Sequence, residues 1–232
     1  MGLLDSIEKY CHENNVENEA ISSFFKSGFP TTKNEEWKYT SLKKVVSEDY
    51  QINKEEAEIT DEEIKKQSLN IGDKIVFING FLHKKPNIKG VTIENNFFEN
   101  LSFEDPITAL NSGLAKQGFK ISVDKNVVAE RPIEILFLNK YNSNSFVQFR
   151  NKIILNENAQ VKIVENIQNL SENLCFINNV TEISLSKNSN LELNKLQNYS
   201  SSQNTIDTTN VNQQEKSAST INTMLFGGAF TR

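Results

Sequence analysis

Residues that could support catalysis or bind a metal are few and widely spaced in this sequence. Its 232 residues include two cysteines and two histidines. Cys11 and His12 are adjacent, which is not the spacing of a metal site, and Cys175 and His83 lie far from both. Two histidines leave little for acid–base chemistry near neutral pH. We therefore expect Cys175 to be a buried structural thiol and His83 a solvated residue at a strand end.

The short motifs of nucleotide-binding and hydrolytic proteins do not occur in the sequence. Gly227 and Gly228 are not followed by the Lys and Ser or Thr of a phosphate-binding loop. There is no G-x-S-x-G, H-E-x-x-H or C-x-x-C motif. The sequence thus predicts no catalytic, cofactor-binding or metal-binding residue, and we expect a protein that is not an enzyme.

Charge and composition exclude several classes of partner and location. The net charge of −5 and the pI of about 5.3 argue against a nucleic-acid partner. No apolar run approaches the about 18 residues of a membrane-spanning helix, so we expect no membrane association. The first residues lack the basic region of a secretory signal, and the two cysteines are far apart in sequence. These features predict a reduced, cytoplasmic location.

The first 118 residues have the apolar spacing of short helices. Two early stripes recur at helical intervals, and Gly28 followed by Phe29-Pro30 ends the second helix. Thr60 and Glu63 have the spacing of a capping box before a helix over 61–69. The two early stripes consist of Leu3, Leu4, Ile7, Tyr10 and Cys11, and of Ala20, Ile21, Phe24 and Phe25.

A hairpin and a further helix are predicted before residue 118. Asn79-Gly80 separates two apolar runs, which is a strong signal for a β-hairpin. Asp105-Pro106 has the pattern of a helix start, with proline at the first helical position. Gly118 is predicted to close that helix.

Beyond Gly118 the apolar residues alternate, which predicts strands with one buried face. Residues 153–163 align with 183–193 at an offset of 30, and an earlier copy begins at Ile121 at an offset of 32. A fixed period of this length is typical of a solenoid, and about 30 residues at about 3.3 Å each suit one wide coil of a β-helix. An antiparallel sandwich built from similar hairpins is the alternative.

These patterns divide the chain into two regions. Residues 1–118 are predicted to form an α+β, largely helical N-terminal domain, and residues 119–232 the first coils of a β-helix core. The fold class is therefore mainly β with a helical N-terminal region. The sequence holds 32 asparagines, 19 of them after residue 138, which suits a fold with many turns, although an AT-rich genome explains the same excess.

The segment 29–40 has the most distinctive local composition. Trp37, the only tryptophan, lies between charged residues and two positions before Tyr39. Two interpretations are open: the aromatic residues anchor a loop against the body of the domain, or they form a hot spot for a partner protein.

This segment closely resembles the Pro-x-x-Lys-x-Glu-x-Trp-Lys-Tyr-Thr signature of the SufD family, scaffold subunits of the SUF iron–sulfur cluster assembly system. Residues 77–82, 109–123, 131–137 and 225–232 are similar to later landmarks of that family. The residues that fit the signature are Pro30, Lys33, Glu35, Trp37, Lys38, Tyr39 and Thr40.

The resemblance implies a right-handed parallel β-helix after a helical N-terminal domain. It also implies a SufB-like paralogue and a SufC-like ATPase as partners, in a complex that handles a nascent iron–sulfur cluster. No cofactor is implied for this chain itself. Because SufD-like proteins exceed four hundred residues, we expect a chain truncated at its C-terminus, without the helical region that docks the partner and with possible self-association through the open end of the β-helix.

We therefore expect a non-catalytic scaffold subunit. One alternative is a secreted-type β-helix polysaccharide lyase, although the strands carry scattered Glu and Lys and no clustered acidic ladder. A second alternative is a generic protein-interaction solenoid.

Overall fold

A computed structural model describes residues 2–52, 57–95 and 103–232. Short helices precede a large body of parallel strands. The helices are α1 Leu3–Asn14, α2 Glu19–Ser27, a 3-10 turn Glu35–Trp37, α3 Lys43–Val46, α4 Asp61–Gln67 and α5 Pro106–Leu114. The strands are β1 Gln51–Ile52, β2 Asp73–Ile78, β3 Phe81–Lys84, β4 Val91–Glu94, β5 Lys120–Val123, β6 Ile133–Asn139, β7 Ser145–Leu155, β8 Gln160–Asn169, β9 Cys175–Leu185, β10 Asn190–Asn198, β11 Gln203–Gln213, β12 Ala218–Leu225 and β13 Phe230–Thr231.

The helix starts and stops follow the local signals in the sequence. In α2, the Asn18 side chain accepts a hydrogen bond from the Ile21 N–H, and Gly28, with φ of 69°, ends the helix. The predicted capping box of α4 is confirmed, since the Thr60 hydroxyl accepts from the Glu63 N–H and the Glu63 carboxylate accepts from the Thr60 N–H. The helix itself ends at Gln67, two residues before the predicted end.

Helix α5 starts as predicted and ends earlier. Asp105 caps it and Pro106 takes its first turn. The prediction that Gly118 closes it was wrong, because the helix ends at Leu114 with Ala115 in the extended region. Gly118 serves a different purpose: its φ is 135°, and a Cβ there would lie 1.9 Å from the carbonyl oxygen of Arg150.

The predicted hairpin at Asn79-Gly80 is confirmed. Strands β2 and β3 pair in antiparallel fashion, and the two turn residues have φ of 48° and 83°. Strand β2 also pairs in parallel with β6, so the stack of parallel strands includes a strand from before residue 118. The domain boundary at residue 118 stays a prediction.

The C-terminal region is a parallel β-solenoid of about four turns. Each turn contributes a strand to each of two facing sheets. One sheet has the order β13-β11-β9-β7-β5-β4, with β1 beside β7, and the other has the order β12-β10-β8-β6-β2-β3. The long strands pair in parallel throughout, which excludes the antiparallel sandwich.

The internal repeat predicted the register between turns. Ile153 pairs with Ile183 and Leu155 with Leu185, at the offset of 30. Ile121 pairs with Ile153, at the offset of 32. A later copy escaped the sequence comparison: β11 pairs with β9 over its whole length, at an offset of 28, although its inward side chains are mostly polar.

Two main apolar clusters hold the molecule together. One fills the solenoid with side chains such as Ile135, Phe137, Ile153 and Ile183. The other joins α1, α2 and α5 to the outer face of the first sheet, where Phe146, Phe176 and Ile206 pack against the helices. None of the helices in the described part of the chain has the length and apolar character of a membrane-spanning segment.

Candidate functional site

The signature loop, residues 30–40, is built around a single 3-10 turn. The backbone N–H of Trp37 donates to the Asn34 carbonyl at 2.9 Å, which closes this turn. The Trp37 side chain is only 7% exposed and belongs to the apolar cluster that contains Leu3, Ile7 and Leu42. Trp37 therefore lies where a loop anchor would lie, although the role of the loop stays a prediction.

Arg232 connects the signature loop to the last described strands. Its guanidinium lies 4.0 Å from the centre of the Trp37 ring. Its Nη1 donates to the Thr40 hydroxyl at 3.1 Å and its Nη2 to the Glu36 carbonyl at 2.7 Å. Its backbone N–H donates to the Thr205 carbonyl of β11. The loop thus contacts the fourth turn of the solenoid through the Arg232 side chain.

The remaining signature residues do not converge on one site. Pro30 is buried, whereas Lys33, Glu35 and Lys38 are exposed. Tyr39 is 92% exposed and contacts the ammonium group of Lys38 at 5.5 Å from its ring centre. Of the signature residues, the structure brings together Trp37 and Thr40, through Arg232, and leaves Tyr39 on the surface.

A second candidate site, the interior charged cluster of Glu165, Lys195 and Asp207, lies inside the solenoid. Glu165 on β8 and Lys195 on β10 are neighbours in register, and Asp207 faces them from β11 of the other sheet. The Lys195 ammonium lies 3.1 Å from Asp207 Oδ1 and 3.9 Å from Glu165 Oε2. The side chains of Lys195 and Glu165 are 2% and 0% exposed.

Polar side chains complete the surroundings of Asp207 but not those of Glu165. Asp207 accepts hydrogen bonds from Gln197 Nε2 at 2.6 Å and Asn179 Nδ2 at 3.1 Å. Among the described residues, neither carboxyl oxygen of Glu165 has a hydrogen-bond partner. Lys195 therefore pairs chiefly with Asp207, and Glu165 is the less compensated of the two acids.

The protonation preferences follow from this arrangement. Burial raises the pKa of Glu165, and the charge of Lys195 offsets this effect only in part. Burial by itself lowers the pKa of Lys195, but the charges of Glu165 and Asp207 and the hydrogen bond to Asp207 raise it above its usual value. Burial thus favours the protonated form of Glu165, and the two neighbouring acids favour the charged form of Lys195.

Sequence reasoning missed this cluster, although a signal was present. Glu165 shares its alternation with the buried Val161 and Ile163, and so does Lys195 with Leu191 and Leu193. The offset of 30 also places Glu165 opposite Lys195. An acid and a base that share an inward face and a repeat position predict a buried ion pair.

The two cysteines lie in environments that suppress thiol reactivity. Cys175 is fully buried, and burial raises its pKa well above the usual value. Burial also raises the pKa of Cys11, which is 8% exposed. Both histidines, His12 and His83, are exposed. Within the described part of the chain, no group of three or more His, Cys, Asp and Glu residues is placed to hold a metal ion.

Comparison with protein families gives two matches along the chain. The SufBD protein N-terminal region matches residues 5–86, and the SufBD core domain of SUF system FeS cluster assembly matches residues 137–232. Together the two models cover well over half of the chain. The chain belongs to the SufB/SufD family. A comparison with curated proteins gives no match.

The matched ranges contain the residues of the two candidate sites. The N-terminal match includes the whole signature loop, and the core match includes Glu165, Lys195, Asp207 and Arg232. The resemblance drawn from the signature is thereby confirmed at the level of the SufB/SufD family.

Proposed function

We propose that this chain is a non-catalytic scaffold subunit of SUF iron–sulfur cluster assembly, of SufD type, acting with a SufB-like paralogue and a SufC-like ATPase. The observation that carries this proposal is the pair of family matches, one to the N-terminal region and one to the SufBD core, on a single chain. Membership of the SufB/SufD family supports a role for the chain in a multi-subunit Fe–S assembly complex.

The assignment to the SufD type, as opposed to the SufB type, depends on the signature loop. Its Trp37-Lys38-Tyr39-Thr40 run resembles the SufD signature. The loop is an ordered part of the fold, since Trp37 packs in the core and Thr40 accepts from Arg232. Tyr39 is the signature residue most available to a partner, because nearly all of its side chain is exposed.

The proposal of a scaffold without catalysis is supported by the state of the thiols. A cysteine acts as nucleophile or metal ligand in its thiolate form, and burial disfavours that form at both Cys11 and Cys175. In this proposal the nascent cluster is cargo of the assembled complex and is not held by this chain alone. The complex works in the cytoplasm.

Co-purification tests the partner proposal. The tagged chain is co-expressed with a SufC-like protein together with either a SufB-like or a SufD-like paralogue, and then with each of these proteins alone. We expect a SufB-like paralogue to elute with the chain. Recovery with a SufD-like paralogue in place of the SufB-like one would reassign the chain to the SufB type, and elution without either protein would contradict the scaffold proposal.

Anaerobic reconstitution tests the assignment of the cluster as cargo. The isolated chain is incubated with iron and sulfide, desalted and analysed for both elements. We expect sub-stoichiometric metal that is lost on desalting. A stable cluster near one per chain would show that this chain binds the cluster itself. Light scattering on the same sample tests the separate prediction of self-association through the C-terminal strands.

A further inference from the structure

The interior of the solenoid contains a small cavity. Its volume is about 10 Å³, and it lies between β6 and β8 of one sheet and β7 and β9 of the other. Four apolar side chains and three polar ones line it. They are Phe137, Phe149, Ile167 and Ile177, and Asn139, Asn179 and Tyr199.

The cavity lies where the filling of the solenoid changes from aromatic to polar. On one side, the Phe137 ring stacks between those of Phe77 and Phe149, at 5.2 and 6.0 Å between ring centres. On the other side, Asn179 donates to Asp207 of the interior charged cluster.

Asn139 is the residue that the fold leaves incomplete at this point. It is fully buried, and among the described residues its amide nitrogen and its amide oxygen both lack a hydrogen-bond partner. A buried amide without partners is destabilising, because it gives up its hydrogen bonds to water on folding.

The next turn offers a direct comparison. Asn169 pairs with Asn139 in register, and its amide is satisfied by the protein. Its Nδ2 donates to the Ser200 hydroxyl at 3.0 Å, and its Oδ1 accepts from the Ser171 N–H at 2.9 Å. The equivalent asparagines of neighbouring turns thus differ in their bonding and in their burial: Asn169 is half-buried and bonded to the chain, whereas Asn139 is fully buried and borders the cavity.

The dimensions and the polarity of the cavity together identify a ligand. A space of about 10–15 Å³ is the smallest that holds a water molecule, and buried waters bind where two to four polar groups converge. Asn139 supplies two N–H donors and a carbonyl acceptor on the wall. The Asn179 carbonyl, which accepts from Asn151 Nδ2 at 2.8 Å, has a second lone pair, and Tyr199, whose hydroxyl is hydrogen-bonded to Thr205, also lines the cavity.

We propose that this cavity is the binding site of a single structural water molecule, held by the Asn139 amide and bridging it to Asn179 or Tyr199. The water completes the hydrogen bonding of a buried side chain and separates the aromatic filling from the interior charged cluster. Larger ligands are excluded by the volume. This inference does not depend on the proposed function.

A crystal structure of the full chain at high resolution tests the proposal on the native protein. We expect a density peak within hydrogen-bond distance of the Asn139 side chain and of Asn179 or Tyr199. Nuclear Overhauser transfer from water to the Asn139 amide protons gives the same answer in solution. An empty cavity, or an Asn139 amide bonded to the protein alone, would overturn the proposal.

Matched leucine variants provide a second test. Asn139→Leu removes the polar anchor and fills the cavity, so we expect the water signal to disappear with little or no fall in melting temperature. Asn169→Leu breaks two protein hydrogen bonds in the next turn, so we expect a clear fall in melting temperature with the water signal retained. An equal fall in melting temperature in the two variants would mean that Asn139 has protein partners and no bound water.

Discussion

At the scale of single residues, Trp37 and Tyr39 differ sharply in environment although they lie two positions apart. The indole of Trp37 is buried in the cluster that joins α1 and α2 to the solenoid, whereas Tyr39 projects into solvent. A signature that looks uniform in the sequence therefore combines a packing residue with a surface residue.

The first prediction concerns these two side chains. Trp37→Ala should lower the free energy of unfolding by about 3–5 kcal/mol, because it removes a large buried side chain and leaves a cavity. Tyr39→Ala should change it by less than about 0.5 kcal/mol, because an exposed side chain contributes little to folding. Urea unfolding of both variants measures the difference, and equal losses would contradict the assigned positions.

The second prediction concerns Arg232. Arg232→Ala should lower stability by about 0.5–1 kcal/mol for the lost cation–π contact, with a further loss for its hydrogen bonds to the loop. Arg232→Lys keeps the charge but not the planar stacking, so it should lose part of the stability that Arg232→Ala loses.

Trp37 fluorescence provides the direct measurement, since the chain has one tryptophan. The emission of Arg232→Ala should shift from that of the parent, because the guanidinium covers the ring in the native structure. Identical emission and identical stability would show that the contact is not maintained in solution.

At the scale of elements, the turns between the two sheets stack as a ladder. Asn126, Asn158 and Asn188 all have left-handed backbone, with φ of 62°, 61° and 58°. Asn158 Nδ2 donates to Asn126 Oδ1 at 2.7 Å, and Asn188 Nδ2 donates to Asn158 Oδ1 at 3.1 Å. Asparagine suits these positions because it tolerates this conformation and bonds to its equivalent in the next turn.

The third prediction separates these two contributions at Asn158. Asn158→Ala should cost about 1–2 kcal/mol, because alanine is strained in left-handed backbone and both amide bonds are lost. Asn158→Gly loses the same bonds without the strain and should cost less. Chemical denaturation of the pair decides, and a glycine variant as unstable as the alanine variant would assign the whole effect to the side-chain ladder.

The internal repeat made the pairing of the solenoid strands largely predictable from the sequence. A constant offset and an alternating pattern were sufficient for the register of β7 with β9 and of β8 with β10. The same information did not give the end of α5. Gly118 is required by the close approach of the Arg150 backbone, which is distant in sequence, and not by the end of the helix. The contact between Thr40 and Arg232, 192 residues apart, likewise has no local signal.

At the scale of the whole molecule, the solenoid interior holds charges that most proteins exclude. The Lys195 side chain is 2% exposed, whereas the side chain of Lys162, on the outer face, is 64% exposed and pairs with Glu192 at 2.9 Å. Sequence alternation places Glu165 and Lys195 inside, but the approach of Asp207 depends on the distance between two sheets, which the repeat does not specify.

The fourth prediction compares these two lysines. Lys195→Met should lower stability by about 3–5 kcal/mol, because Asp207, whose side chain is only 11% exposed, would lose its counter-charge. Lys162→Met should cost no more than about 1 kcal/mol, because its ion pair is largely solvated. Equal losses in thermal or chemical unfolding would contradict the burial of Lys195.

The fifth prediction is the pH dependence that Glu165 confers on the whole fold. Burial raises its pKa above the usual 4.5 in the folded protein, so the folded state holds this proton more tightly than the unfolded state does. The groups that face it are Lys195 and Asp207. Its contribution is fully present below about pH 4.5 and is lost as the pH rises through the folded-state pKa. Relative to Glu165→Gln, which stays neutral, the parent should therefore lose stability as the pH rises above 4.5.

Glu192 provides a control of opposite sign for this measurement. Hydrogen bonds from Lys162 and Asn194 lower its pKa in the folded protein, and its contribution is present above the usual pKa and lost as the pH falls. Unfolding curves for the parent, Glu165→Gln and Glu192→Gln between acid and neutral pH should thus diverge in opposite directions. Parallel curves for the parent and Glu165→Gln would mean that Glu165 titrates in the folded protein as it does in the unfolded chain, and that the interior charged cluster admits water.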